Sequence, residues 1–171
     1  MVESVIFYIL ALVTVGTALL VILQRNPVVS AIYLIITFFC LAGIYLLLRA
    51  EFIAIIQVLV YAGAIMVLFL FVIMLLNLEK EEKFITPRRM TLVLGILLGG
   101  VLLFQMGVIF RALLLEGPKG EFSPEMVATL GNTEVVARLL FTDFLLPFEI
   151  ISILLLVAII GAIVLAKREL K

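Results

Sequence analysis

Five long apolar runs, separated by short polar stretches, set the pattern of this chain. They lie at about residues 4–23, 28–48, 52–78, 90–110 and 144–166. An α-helix needs about 20 apolar residues to cross the hydrocarbon core of a bilayer, so every run is long enough. Backbone polar groups in lipid must find their partners within their own helix. The pattern therefore predicts an all-α, polytopic membrane protein, with residues 1–171 forming a single membrane domain of five transmembrane helices.

A shorter pattern precedes the last run. After irregular chain rich in glycine and proline, apolar residues recur at helical spacing, with Glu134 and Arg138 on the other side (Val135, Val136, Leu139 and Leu140). This spacing predicts a short amphipathic helix before the last span, capped by Asn132 or Thr133. Such a helix lies either along the membrane surface or against a partner protein, and the sequence leaves both open.

Composition agrees with a membrane class and excludes several others. The chain is 66% hydrophobic and 14% charged, whereas soluble domains are about 45–50% apolar and about 25% charged. The formal net charge is +0, so no basic patch points to nucleic acid. The chain has no histidine, the commonest metal ligand, and its one cysteine, Cys40, leaves no cysteine cluster for an iron–sulfur site. The first run follows Glu3, not Lys or Arg, and is expected to be a retained helix.

The basic residues between the runs predict an orientation. With five spans, the face carrying the C-terminus has eight basic residues and the opposite face has four (Arg25, Lys80, Lys83, Arg88, Arg89, Lys167, Arg168 and Lys171, against Arg49, Arg111, Lys119 and Arg138). Because cytoplasmic loops carry an excess of Lys and Arg, the C-terminus is expected in the cytoplasm and the N-terminus outside.

The third run has the most informative composition. It is free of charge from Phe52 to Leu78, yet Gln57 and Tyr61 place polar groups at membrane depth. Such groups must find partners inside protein. Tyr61 opens a run of small residues, Ala62, Gly63 and Ala64, which favour close helix packing on physical grounds alone. The excess length of the run also leaves room for a wide turn, a π-bulge.

Three acids lie at or near membrane depth: Glu51, Asp143 and Glu149. Glu149 is expected about two turns inside the last span if that helix begins near Asp143, where an ionisable group is a candidate for a proton path. The alternative is that Glu149 caps the start of the helix. Glu51 likewise suits either a proton relay or the favourable N-terminus of the third helix. So few interior acids argue against a self-contained pump and for a subunit of a larger assembly, without a catalytic centre of its own.

Two stretches resemble one family. Residues 51–77 read EFIAIIQVLVYAGAIMVLFLFVIMLLN, and residues 140–162 read LFTDFLLPFEIISILLLVAIIGA. The first closely resembles a signature of subunit J, or chain 10, of bacterial NADH–quinone oxidoreductase, respiratory complex I. The mitochondrial counterpart is NADH dehydrogenase chain 6. Residues 140–162 are similar to the start of this family's last helix, and the resemblance covers most of the chain.

The resemblance implies a non-redox membrane subunit in a proton-translocating hetero-oligomer of the bacterial cytoplasmic (inner) membrane. Its partners would be the quinone-site subunit, the antiporter-like subunits and the lipid bilayer. The complex would use NADH and quinone and would carry FMN and iron–sulfur clusters on other subunits, with no cofactor on this chain.

The resemblance also implies a moving part in the third helix. In this family a π-bulge near the Tyr-Ala-Gly run changes to regular helix and opens a water path. That region maps onto Tyr61, Ala62, Gly63 and Ala64. Gly63 is expected to ease the change and to keep a neighbouring helix close, and Glu51 is expected near a chain of acids through the membrane.

Two other classes remain open. A subunit of a multi-chain cation/proton antiporter would share this hydropathy, and a small autonomous carrier is a third interpretation. The lack of a convincing internal repeat disfavours an inverted-repeat transporter within this chain.

Overall fold

Six helices with defined limits lie in the described parts of this protein, a computed structural model that describes residues 1–76, 89–113, 127 and 129–167. The helices are α1 (Val2–Leu23), α2 (Pro27–Leu47), α3 (Glu51–Leu75), α4 (Arg89–Leu113), α5 (Asn132–Phe141) and α6 (Leu145–Ala166). All except α5 contain a stretch long and apolar enough to cross a membrane. The predicted all-α architecture with five membrane-spanning helices is therefore confirmed.

Helix limits differ from the predicted spans by a few residues. The third helix ends at Leu75, not at 78, because the backbone becomes extended at Leu76. The fourth is longer than predicted, Arg89–Leu113. Some predicted features lie outside the described residues. They include Asn77, Leu78 and most of the irregular chain before α5. They also include six of the basic residues used to predict orientation (Lys80, Lys83, Arg88, Lys119, Arg168 and Lys171).

The α1–α2 hairpin is held by polar and close contacts. The hydroxyls of Thr17 and Thr37 lie 2.8 Å apart in a buried position between the helices. The Ser30 hydroxyl donates to the Val21 carbonyl at 2.6 Å. A Cβ at Gly43 would lie 3.0 Å from a methyl group of Leu10, so the helices approach closely there. These are the contacts expected between helices in lipid, where apolar surface alone gives no driving force for association.

A tight turn joins α2 to α3. Arg49 adopts φ 59°, the left-handed conformation common just after a helix C-terminus. The Arg49 amide donates to the Leu46 carbonyl at 3.0 Å, and the Ala50 amide donates to the Tyr45 carbonyl at 2.9 Å. This pair of bonds satisfies the last carbonyls of α2 and turns the chain back, so that α2 packs along α3.

The last two long helices are less connected. Among the described helices, α4 contacts none and α6 contacts only α5. Gly95 and Gly99 form the GxxxG pair of α4, yet a Cβ at either would have no atom within 4 Å. The close packing that this pair indicates in the sequence is not made with the described part of this chain.

Candidate functional site

The middle of α3 is a π-helix. Residues Gln57–Ile65 form nine residues of π-helix between two α-helical segments, Glu51–Ile56 and Met66–Leu75. The Met66 amide, just beyond it, reaches the Tyr61 carbonyl five residues earlier. Such segments are rare and occur frequently at functional sites. The wide turn expected near Tyr61–Ala64 is therefore present, and it includes all four of those residues.

The π segment accounts for the spacing of the buried residues of α3. Ala54, Gln57, Ala62 and Met66 are 3%, 8%, 4% and 4% exposed, in steps of three, five and four residues. Residues three or four apart share a helix face, but residues five apart in an α-helix are turned by about 140°. The extra residue of the π turn removes this offset. Among the described helices α2 is the neighbour of the π segment, so it is the surface against which this stripe packs.

Gly63 lies close to a carbonyl of its own helix. A Cβ built at Gly63 would be 3.2 Å from the carbonyl oxygen of Val58, five residues earlier, and nothing else in the described chain would be within 4 Å. No neighbouring helix of the described chain comes within 4 Å of this position, so the expectation that Gly63 keeps a neighbour close stays a prediction. The close atom is instead the carbonyl that the π register brings beneath residue 63.

Tyr61 packs its ring against α2. The ring meets Phe38 edge to face, with centroids 6.0 Å apart and planes at 65°. The side chain is 46% exposed, and within the described chain its hydroxyl has no hydrogen-bond partner. The hydroxyl is therefore free to bind water or a group from another chain. Ala62 is buried next to it, whereas Ala64 is exposed.

Glu51 is the first residue of α3 and is half-buried. This position matches the favourable site for negative charge at a helix N-terminus. Ala50, which precedes it, offers no side-chain cap. The Phe52 amide instead donates to the side-chain oxygen of Asn132, 80 residues further along the chain, at 3.3 Å.

The predicted cap of α5 is consequently wrong. Gly131 is the residue before the helix, with φ 86°, and no side chain caps this end. The Asn132 oxygen is bound to the Phe52 amide of α3. Sequence reasoning missed this contact, although one signal was present: the Arg-Ala-Glu link before α3 contains none of the usual capping residues.

Glu149 lies closer to its helix end than predicted. Because α6 begins at Leu145 after a turn over residues 142–144, Glu149 is its fifth residue. It is therefore about 6 Å along the helix, not two turns in. No side chain caps this end of α6. The Glu149 side chain is exposed and has no partner in the described chain.

The predicted site residues thus fall into two groups. Tyr61, Gly63 and their alanine neighbours share the π segment, and Glu51 begins the same helix. Glu149 is not brought to them, since α6 does not contact α3 among the described helices. The described residues also contain no cluster of Cys, Asp or Glu arranged to hold a metal ion.

The sequence of this chain matches one family of known proteins. The family model for NADH-ubiquinone/plastoquinone oxidoreductase chain 6 matches residues 17–165. F(420)H(2) dehydrogenase subunit J of Methanosarcina mazei is 41% identical, over 98% of this chain and 92% of its own length. NAD(P)H-quinone oxidoreductase chain 6 of Nostoc is 42% identical, over 98% and 81%. NADH-quinone oxidoreductase subunit J of Rickettsia typhi is 35% identical, over 96% and 82%. This chain belongs to the family of NADH-ubiquinone/plastoquinone oxidoreductase chain 6 and is a membrane subunit of that class of oxidoreductase.

Proposed function

We propose that this chain couples quinone reduction to proton translocation through a rearrangement of α3. It holds no redox centre in this proposal, and the electron-transfer chemistry takes place on other subunits. The observation that carries the proposal is the π segment Gln57–Ile65, across which the buried stripe steps by five residues. In this proposal α3 passes between that π register and an α register, because a switching element needs two discrete arrangements.

A change from π to α register has a definite consequence in this helix. Moving the register by one residue turns one half of α3 against the other by about 100°. Ala54 and Met66, buried on the same stripe in the π register, would then lie on different faces. The Tyr61 ring would also change its position relative to Phe38, which it now meets at 6.0 Å.

Tyr61, Glu51 and Glu149 are proposed to serve the proton path. The Tyr61 side chain is exposed within the π segment, and its hydroxyl would order water there. Glu51 would hold charge at the start of α3, half-buried near Asn132. Glu149 would act with a group from a partner chain, since it has none in the described residues.

The proposed assembly contains the quinone-site subunit and the antiporter-like subunits, in the cytoplasmic membrane, with the N-terminus outside and the C-terminus in the cytoplasm. Its FMN, iron–sulfur clusters and binding site for NADH would lie on other chains. The names of the relatives include F(420)H(2), NAD(P)H and NADH. Similar membrane chains thus occur with different donors, and we propose that other subunits select the donor.

The experiment is a mild-detergent purification from native membranes through a tag on this chain. NADH, NADPH and reduced F420 are offered in turn, and quinone reduction is followed. The proposal predicts that donor oxidation and quinone reduction co-purify with a large assembly. Membrane partners without donor oxidation, reproduced in a preparation whose peripheral subunits are shown to be intact, would instead support a multi-chain cation/proton antiporter.

A further inference from the structure

The N-terminus of α3 is capped by a residue from the other end of the chain. The first amides of a helix have no acceptor inside that helix, and Ala50 offers no side chain to accept from them. Asn132 fills this role by accepting from the Phe52 amide at 3.3 Å. We propose that Asn132 is a positioning residue that anchors the Glu51–Ile56 segment. In this proposal, which rests on the function proposed above, only the part of α3 beyond the π segment then turns.

Local geometry directs Asn132 toward α3. Gly131 adopts φ 86° and ψ 144°, a conformation that residues with a Cβ rarely adopt. Its amide donates to the Val127 carbonyl at 2.9 Å, and its carbonyl accepts from the Val135 amide at 3.2 Å. The bend at Gly131 therefore begins α5 with Asn132 as its first residue, beside the start of α3.

Packing supports the hydrogen bond. Helix α5 contacts the Glu51–Ile56 segment of α3, and Val135, one turn after Asn132, is only 5% exposed. On the exposed side of α5 the Arg138 guanidinium pairs with Glu134 at 2.8 Å, four residues earlier. The start of α3 therefore contacts both α2 and α5, and it is held by packing and by the bond from the Phe52 amide to the Asn132 side chain.

The other half of α3 has no such tether. Among the described elements, Met66–Leu75 contacts α2 and the π segment but not α5. A register change in Gln57–Ile65 must rotate one of the two flanking segments. Because Glu51–Ile56 is bound to α5 through Asn132, the segment that turns is Met66–Leu75. In this proposal Asn132 touches no substrate. It affects the coupling of quinone reduction to proton translocation by holding the start of α3.

The test uses the intact complex with Asn132→Ala, which removes the acceptor, and Asn132→Asp, which keeps an oxygen at the same place. Thr133→Ala is the matched control, since Thr133 is exposed and forms no bond to the described residues. Asn132→Gln, which displaces the acceptor by one methylene, replaces Asn132→Ala if that variant does not assemble. Hydrogen exchange of the residue 51–56 amides and protons released per quinone reduced are measured together.

The proposal predicts that Asn132→Ala speeds exchange of these amides by about fivefold and lowers the proton yield. Asn132→Asp and Thr133→Ala should keep both near the wild-type values. Unchanged exchange would show that the bond does not hold α3. Faster exchange with an unchanged proton yield would show a merely structural cap. Either result overturns the proposal.

A parallel Gly63→Leu variant distinguishes failure of the Asn132 anchor from failure of the proposed coupling through α3. If Gly63→Leu lowers the proton yield while Asn132→Ala leaves it unchanged, the anchor is wrong and coupling through α3 stands. If Gly63→Leu also leaves the yield unchanged, coupling through α3 is wrong, and the anchor proposal that rests on it is overturned as well.

Discussion

At the scale of single residues, Tyr61 combines two separable parts. Its ring packs edge to face on Phe38 of α2, and its hydroxyl has no partner among the described residues. The ring contributes to packing between the helices, whereas the hydroxyl is available to water. Removing the hydroxyl alone therefore distinguishes a role in packing from a role in the proton path.

Tyr61→Phe should leave the amount of assembled complex unchanged and lower quinone reductase turnover by about fivefold, the effect of losing one hydrogen bond of about 1 kcal/mol. Steady-state turnover per complex is the measurement. Tyr8→Phe is the control, since Tyr8 is an exposed tyrosine on α1, away from the π segment. Turnover equal to wild type would show that only the ring of Tyr61 matters.

The backbone conformation of Gly131 positions Asn132 for its contact with the Phe52 amide. Its φ of 86° is strained for any residue with a side chain, by about 1–3 kcal/mol. Gly131→Ala should therefore shift Asn132 away from the Phe52 amide and speed hydrogen exchange at the start of α3. Gly161→Ala, at an open helical position of α6, is the control and should leave that exchange unchanged. Equal exchange in both variants would contradict the role given to Gly131.

At the scale of elements, α1 and α2 meet through a buried pair of hydroxyls, Thr17 and Thr37, 2.8 Å apart. Each hydroxyl also lies within bonding distance of a carbonyl of its own helix, Val13 for Thr17 and Tyr33 for Thr37. If either threonine is replaced, the other hydroxyl therefore keeps an acceptor, and the loss of stability of the α1–α2 hairpin should be small.

A double-mutant cycle of Thr17→Val and Thr37→Val should give a coupling energy of about 0.6 kcal/mol, the average for polar contacts between membrane helices. The measurement is the detergent concentration at which the chain leaves the complex. Thr14→Val is the control, because the Thr14 hydroxyl bonds only to the Leu10 carbonyl of its own helix. A coupling energy indistinguishable from zero would show that this pair does not hold the hairpin.

Some features of these helices could be predicted from the sequence and others could not. Apolar runs are long, so the spans and their number follow from composition alone. The buried stripe of α3 could not be predicted, because a five-residue step between Gln57 and Ala62 breaks any α-helical pattern. The Asn132–Phe52 bond joins residues 80 apart, and no local rule reaches that far. The position of Glu149 in its helix depended on a start at Leu145, and helix starts are the least predictable feature of a sequence.

At the scale of the whole molecule, the chain divides into a connected part and an open part. Helices α1, α2, α3 and α5 are linked by packing and α6 contacts α5, whereas α4 packs on no described helix. Its apolar side chains are largely exposed, as with Phe104 at 75%. A family of multi-chain oxidoreductases offers both lipid and partner helices to such surfaces. The π segment lies in the connected part, where movement of one half of α3 would be passed to its neighbours.

The proposed function requires α3 to pass between two registers during turnover, and a substitution at Gly63 tests this requirement. In the π register a side chain at residue 63 meets the Val58 carbonyl at 3.2 Å. A bulky residue should therefore disfavour that register by about 1–3 kcal/mol, the usual cost of overpacking. Gly16→Leu on α1, where a Cβ meets nothing within 4 Å, is the control.

The measurement is the number of protons moved per quinone reduced by the complex in sealed vesicles. Gly63→Leu is expected to assemble normally and to lower this yield by about half or more, while Gly16→Leu should match the wild type. A normal yield from a normally assembled Gly63→Leu complex would contradict the account. The π segment would then be a feature of packing and not a moving part.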